Sequence, residues 1–203
     1  MIMTRKRLVV LASGNGSNLE AILVACEQGD LPAEVVAVVS DHKTAFAIER
    51  AKQHAIPAVY HPWKRYGDNG GSRQEYDTDL AEIVSNYQPD YIVLAGWMRL
   101  LTLSFINRFP MRVINLHPAL PGTFPGTHAI QRAFEAFLVG EINQTGVMVH
   151  FVPDEGVDDG PIILHETVPI HQDDTLVDLE KRIHNVEHRL LVDALHKVFQ
   201  NEH

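Results

Sequence analysis

The chain has 203 residues, 45% of them hydrophobic and 21% charged, which suffices for one α/β domain with a sizeable core and leaves no room for a second independent one. A formal net charge of -9 gives no electrostatic footprint for nucleic acid or an anionic membrane, and no apolar run approaches the length of a membrane span. The lone cysteine, Cys26, excludes an intrachain disulfide and fits a reducing, cytoplasmic setting.

Arg5-Lys-Arg7 ahead of the apolar run Leu8 to Ala12 imitates a signal peptide, but the run is too short and leads straight into a glycine loop. It reads as a first, buried parallel strand. Ser13-Gly-Asn-Gly-Ser-Asn18 follows, then a helical pattern from Leu19 to about Gln28. A loop in that position can wrap an anion with backbone N–H groups at the helix N-terminus, with Ser17 or Asn18 adding side-chain donors, and phosphate is the natural ligand. Leu19 stands where the dinucleotide fingerprint needs a third glycine, although Asp41 after the second strand leaves a nicotinamide-cofactor reading open. By itself such a loop also arises for steric reasons alone.

Val35 to Val39 is the second strand, Ala45 to His54 a helix crossing back over the sheet, and Ala58 to Tyr60 a short third strand after Pro57. The stretch Trp63 to Gly71 reads as an exposed polar loop before a helix from about Arg73 to Asn86. Arg73 falls on that helix's first turn, where a positive charge opposes the dipole unless it is solvated or an anion compensates it. Tyr91 to Ala95 is another buried strand. The segment Gly96 to Leu101 that leaves it either walls a flat apolar pocket or starts a helix packed into the core.

Val113 to Gly126 begins as a strand and breaks into a loop rich in proline and glycine. Asn115 and His117 are two apart and share one face at the strand end, with Leu116 turned into the core. An amide donor beside an imidazole is the minimum kit for acyl chemistry, though the same pair also serves as a turn cap and an ordinary loop histidine. A second polar loop, Asp154 to Pro161, offers carboxylates that could orient the histidine. Between the two, Ala129 to Val139 reads as a helix and Thr145 to Val152 as a strand carrying His150. Ile162 to Val168 pairs antiparallel with that strand, because the link is too short for a helical crossover. Thr175-x-x-Asp178 resembles a capping box for a long last helix whose Leu176, Leu179, Ile183, Val186 and Leu190 recur at helical spacing. The twelve histidines are scattered, none in His-Glu-x-x-His spacing, so no metal site is expected.

Five motifs in order, Ser13-Gly-Asn-Gly-Ser-Asn-Leu19, Leu94-Ala-Gly-Trp-Met-Arg99, Asn115-Leu-His-Pro118, Phe124-Pro-Gly126 and Asp154-Glu-Gly-Val-Asp158 through Gly160-Pro-Ile162, closely resemble the phosphoribosylglycinamide formyltransferase family over nearly the whole chain. The resemblance implies one α/β domain over residues 1–203. Its fold would be a Rossmann-like, mostly parallel sheet with helices on both faces and an antiparallel C-terminal strand pair. Residues 1 to about 110 would form the half that binds the ribonucleotide phosphate, and about 111 to 203 the catalytic and folate-binding half. The reaction implied moves a formyl group from 10-formyltetrahydrofolate, as donor co-substrate, to the amine of glycinamide ribonucleotide in purine synthesis.

The resemblance places catalysis on Asn115, His117 and Asp158 and the phosphate on Gly16, Ser17 and Asn18. It puts Arg73 near the substrate, Glu187 at the glycinamide end, and the folate against Met98, Arg99, Leu100 and Leu101. Formyl transfer needs a neutral amine, stabilisation of an oxyanion, and a proton carried from the amine to the leaving nitrogen. Asn115 and a protonated His117 are expected to meet the oxyanion while Asp158 holds the imidazole and helps relay the proton, with His117 and Asp158 both on loops beyond strand ends. No metal and no covalent nucleophile are needed. The partners implied are these two small molecules, without nucleic acid or membrane, for a monomer or homodimer.

Two departures stand out. Leu120-Pro-Gly122 replaces the usual Leu-Leu-Pro, and Asp159 replaces a small residue, where an inward carboxylate would raise the pKa of Asp158 and an outward one would not. A formyltetrahydrofolate hydrolase and a tRNA formyltransferase share the three residues, but each usually carries an added domain. A non-enzymatic nucleotide-binding module leaves Asn115, His117 and Asp158 without a shared purpose.

Overall fold

The computed structural model describes residues 5–68 and 70–201. The chain runs β1 (Lys6–Leu11), α1 (Ser17–Gln28), β2 (Ala33–Ser40), α2 (Phe46–Gln53), β3 (Ala58–Tyr60), α3 (Lys64–Gly67) and α4 (Arg73–Ser85). It continues β4 (Tyr91–Leu94), α5 (Leu103–Ile106), β5 (Val113–His117), α6 (Ala129–Leu138), β6 (Gln144–Phe151), β7 (Ile162–Pro169) and α7 (Leu176–Gln200). The strands form one seven-stranded sheet in the order β3-β2-β1-β4-β5-β6-β7. The first five are parallel, and β5–β6 and β6–β7 are antiparallel.

Both faces of the central strands are covered, which is why they read as unbroken apolar runs. Alternate residues of β1 serve different cores: Leu8 and Val10 join Leu19 and Ile22 of α1 and Leu179, Ile183 and Leu191 of α7. Val9 and Leu11 join Tyr76 and Leu80 of α4 and Phe105 of α5 on the other side. The predicted capping box is present, with Thr175 and Asp178 satisfying each other's backbone N–H at the start of α7. Among the described residues no helix is long and apolar enough to cross a membrane.

The order reverses between β1 and β4, so the chain leaves neighbouring strands toward opposite faces and opens a crevice at their carboxyl ends. The glycine loop after β1, the 96–101 segment after β4 and the end of β5 all face it. Gly96 O accepts the Ser13 N–H at 3.0 Å, and Ser13 Oγ accepts the Met98 N–H at 3.0 Å, so the first two of these loops are bonded to each other.

Three local expectations are revised. The stretch Trp63 to Gly71 is not simply an exposed loop: α3 forms within it, and the Trp63 and Tyr66 rings pack edge-on to Tyr76 at 5.5 and 5.2 Å. Asn69 of that stretch lies outside the described residues. The segment Gly96 to Leu101 starts no helix, since α5 begins only at Leu103; Trp97 and Leu101 are buried while Met98 and Leu100 are 63% and 59% exposed, as a pocket wall requires. His117 belongs to β5 itself and is 3% exposed, so the expected loop position gives way to a buried strand end.

Candidate active site

A cavity of about 680 Å³ opens along the crevice. Gly16, Ser17, Asn18 and Glu187 line one side, Met98, Arg99, Leu100 and Leu101 another, and Asn115, His117 and Asp158 lie between them. The wall at 98–101 comes from the first half of the chain and Glu187 from the second, so the cavity draws on both halves.

Asp158 is the hub. It sits in the left-handed region, at φ 55°, which aims its carboxylate back at the end of β5. Oδ1 accepts from Asn115 Nδ2 at 2.9 Å, and Oδ2 accepts the Gly126 N–H at 2.7 Å and lies 3.2 Å from His117 Nδ1. Burial pushes the Asp158 carboxyl up, but the adjacent His150, the hydrogen bond from Gly126 and the nearby His117 outweigh it, leaving the pKa below its ordinary value. The group is therefore ionised near neutral pH.

His117 carries acceptors at both nitrogens, Asp158 at Nδ1 and the Phe124 carbonyl at Nε2, 3.1 Å away. An imidazolium satisfies both and a neutral ring only one. Burial nevertheless lowers its pKa, against the raising influence of Asp158 and Phe124, which favours the neutral ring near neutral pH, so the protonated form expected at the oxyanion has to arise by proton uptake.

His150, to which sequence reasoning gave no role, completes the cluster. Strand register sets it opposite Asn115 across β5 and β6. Its Nδ1 donates to the Phe151 carbonyl at 2.8 Å, which leaves Nε2 to accept from Asn115 Nδ2 at 3.2 Å. Both amide hydrogens of Asn115 are thus committed, one to Asp158 and one to His150, and an oxyanion must compete for one of them. The only sequence signal was a polar residue ending the run Val147-Met-Val149.

Glu187 is buried on the inner face of α7. It accepts from Asn18 Nδ2 at 3.2 Å and from His184 Nδ1 at 2.8 Å, a second unpredicted neighbour. Gly16 adopts φ 75° at the N-cap of α1, and a Cβ there would lie 2.8 Å from Ala47. Arg73 is not brought to the cavity lining. It leans on Asp77 at 3.7 Å and lies over the Trp63 and Tyr76 rings, while Arg99, over the same Trp63 ring, donates to Asp41 at 2.7 Å. Asp41 is thereby spent on Arg99 rather than open to a nucleotide ribose. Asp159 is exposed over Gly156, the outward alternative. Gly122, at φ 75°, allows the tight turn in which Thr123 N–H meets Leu120 O at 3.0 Å, with Pro121 at its second position.

A doubly wound sheet with an amide, an imidazole and a carboxylate meeting at its carboxyl edge defines a group-transfer enzyme, and the sequence model of the formyl transferase family matches residues 6–195. The chain belongs to that family. It is 46% identical over 200 residues to phosphoribosylglycinamide formyltransferase of Schizosaccharomyces pombe, covering 94% of this chain and 96% of that protein. To the Escherichia coli protein of the same name it is 39% identical over 183 residues, covering 90% and 82%. The crystal structure of phosphoribosylglycinamide formyltransferase from Bacillus halodurans superposes with a TM-score of 0.90 at 39% identity, over 98% of this chain and 97% of that one.

Proposed function

We propose that the chain transfers the formyl group of 10-formyltetrahydrofolate to the amine of glycinamide ribonucleotide. The observation that carries this reading is the Asp158 carboxylate, which bonds Asn115 and the loop at Gly126 and faces His117, between a glycine loop fit for phosphate and an exposed apolar wall fit for a flat ring. The exposed Met98 and Leu100 suit a pterin face, and Arg99 stands beside them. Gly16, Ser17 and Asn18 hold the phosphate, and Glu187 aligns the glycinamide end. Arg73, over the Trp63 ring and outside the cavity lining, is given no direct contact with the ribonucleotide.

The neutral His117 takes the proton that the amine loses as its nitrogen bonds the formyl carbon. The imidazolium so formed has Asp158 at Nδ1 and an Nε2–H for the developing oxyanion, in place of Phe124 O. A full negative charge accepts more strongly than a neutral imidazole, so the Asn115 N–H held by His150 is the one that turns to it. His117 then returns the proton to the departing folate nitrogen as the carbon–nitrogen bond breaks. Small-molecule partners alone, a cytoplasmic setting and a monomer or homodimer belong to the same reading.

The test is folate product formation with glycinamide ribonucleotide, water or initiator tRNA as the only acceptor. Turnover should require the ribonucleotide. Full-rate turnover without it makes the chain a hydrolase, and turnover with tRNA alone makes it a tRNA formyltransferase.

A further inference from the structure

A loop can offer its N–H groups to a phosphate only if its carbonyls are held elsewhere, and in this chain α2 holds them. Gly14 O accepts the Ala47 N–H at 3.2 Å, and Asn15 O accepts from Arg50 Nε at 3.0 Å. In a trans peptide the carbonyl and the following N–H point to opposite sides. Each bond to α2 therefore turns one amide, that of Asn15 and that of Gly16, away from α2. The first of these restraints is backbone and follows from the packing of Gly16 on Ala47. The second depends on one side chain.

Arg50 is built for that task. Its Nη2 reaches Asn15 Oδ1 at 3.2 Å, its Nη1 is anchored by Glu20 of α1 at 2.8 Å, and its guanidinium lies 4.9 Å over the Phe46 ring. The side chain is only 20% exposed and is not part of the cavity lining. It thus touches the back of the loop whose front faces the cavity. Glu20 is held in turn by His54 at 3.4 Å, so the fork sits in a braced frame joining α1 and α2.

We propose that Arg50 is a positioning residue for phosphate recognition, fixing the Asn15–Gly16 peptide so that its N–H faces the substrate. The proposal rests on the assignment of the glycine loop to the substrate phosphate. A planar fork that reaches two atoms of one residue fixes direction as well as charge, which a lysine cannot reproduce.

The experiment compares Arg50→Lys and Arg50→Met with the wild type by steady-state kinetics, using inorganic phosphate as a competing probe. In both variants the KM for glycinamide ribonucleotide and the inhibition constant for phosphate should rise together by roughly 10-fold, as for loss of a charge-assisted hydrogen bond. The kcat at saturation and the KM for the folate should stay within about twofold of wild type, because the catalytic cluster touches neither Arg50 nor Asn15. Unchanged ribonucleotide KM in both variants overturns the proposal. So does a loss in Arg50→Met that Arg50→Lys fully restores, since charge alone would then explain it. Arg50→Lys keeps the stem, the charge and a partner for Glu20, so it carries the test even if Arg50→Met does not fold. Failure of phosphate to compete in the wild type overturns the underlying assignment of the loop, separately from any effect at Arg50.

Discussion

Asp158→Asn keeps the shape of the hub and removes its charge and half of its accepting capacity. An amide has one acceptor oxygen where the carboxylate has two. If that oxygen stays toward Gly126 and His117, the new NH2 group faces Asn115 Nδ2 across a contact of 2.9 Å, donor against donor. The opposite orientation sets it against the Gly126 N–H. Either way one buried donor loses its partner, at a cost of about 1–3 kcal/mol, and a chain of this size should melt roughly 2–10 °C lower. The variant should therefore fold, and its defect should lie in turnover, with kcat down by roughly 100- to 10,000-fold, as for loss of general acid–base assistance. The pH profile has a definite sign. The negative carboxylate raises the His117 pKa against burial, so its removal lets burial lower that pKa further. Since transfer begins from neutral His117, the acid limb of kcat/KM should move to lower pH. Stopped assays of folate product across pH, alongside a thermal melt, measure all three effects. A plateau near wild type removes Asp158 from the chemistry, and an acid limb moved to higher pH means that the titrating group is not His117.

Gly16→Ala should weaken ribonucleotide binding and cost about 1–3 kcal/mol of stability, because the added Cβ meets Ala47 at 2.8 Å in a residue at φ 75°; a melt and a ribonucleotide titration check it, and unchanged values in both refute it. Outside the cavity lining, the hydrogen bonds from Arg182 hold the Asp174 carboxyl at about 2, against an ordinary 3.8. A carboxylate whose folded pKa is depressed stabilises the fold above its unfolded pKa and loses that contribution as pH falls through the folded one. Asp174→Asn should therefore be less stable by about 1 kcal/mol at pH 7 in urea titrations, with the gap to wild type closing as pH falls from about 4 toward 2. A gap independent of pH would show that the charge contributes nothing.

What could be read from the sequence divides along a physical line. The strands were legible because a sheet covered on both faces demands apolar runs, and Leu8 to Leu11 or Val35 to Val39 can be little else. Asn115 and His117 were legible because a two-residue spacing fixes a shared face. Long-range pairing was not. Asp158 entered only through the family resemblance, since nothing local distinguishes it from Asp154 or Asp159, and its reach to β5 depends on a left-handed backbone at a non-glycine residue. His150 lies opposite Asn115 only once the β5–β6 register is known. Arg73 was placed near the substrate by the family resemblance, and the helix-dipole argument left it either solvated or compensated, but the Trp63 and Tyr76 rings and the buried Asp77 provide for that cation behind the cavity lining. Trp63 itself looked like loop because a stretch of glycine and charge hid one aromatic anchor.

The hydrogen bond from Asn18 to Glu187 joins residues 169 positions apart and ties the first helix to the last. During synthesis on the ribosome, the glycine loop emerges early but lacks its carboxylate partner until α7 has been made. A nascent chain stopped before Glu187 also lacks Leu190, Leu191 and Ala194, which cover one face of the sheet. The same final segment thus finishes the core and finishes the cavity wall, so an incomplete chain cannot present a complete pocket. For the folded protein the coupling runs the other way: any loosening of α7 is felt at Asn18, at the opposite end of the sequence and in the middle of the site.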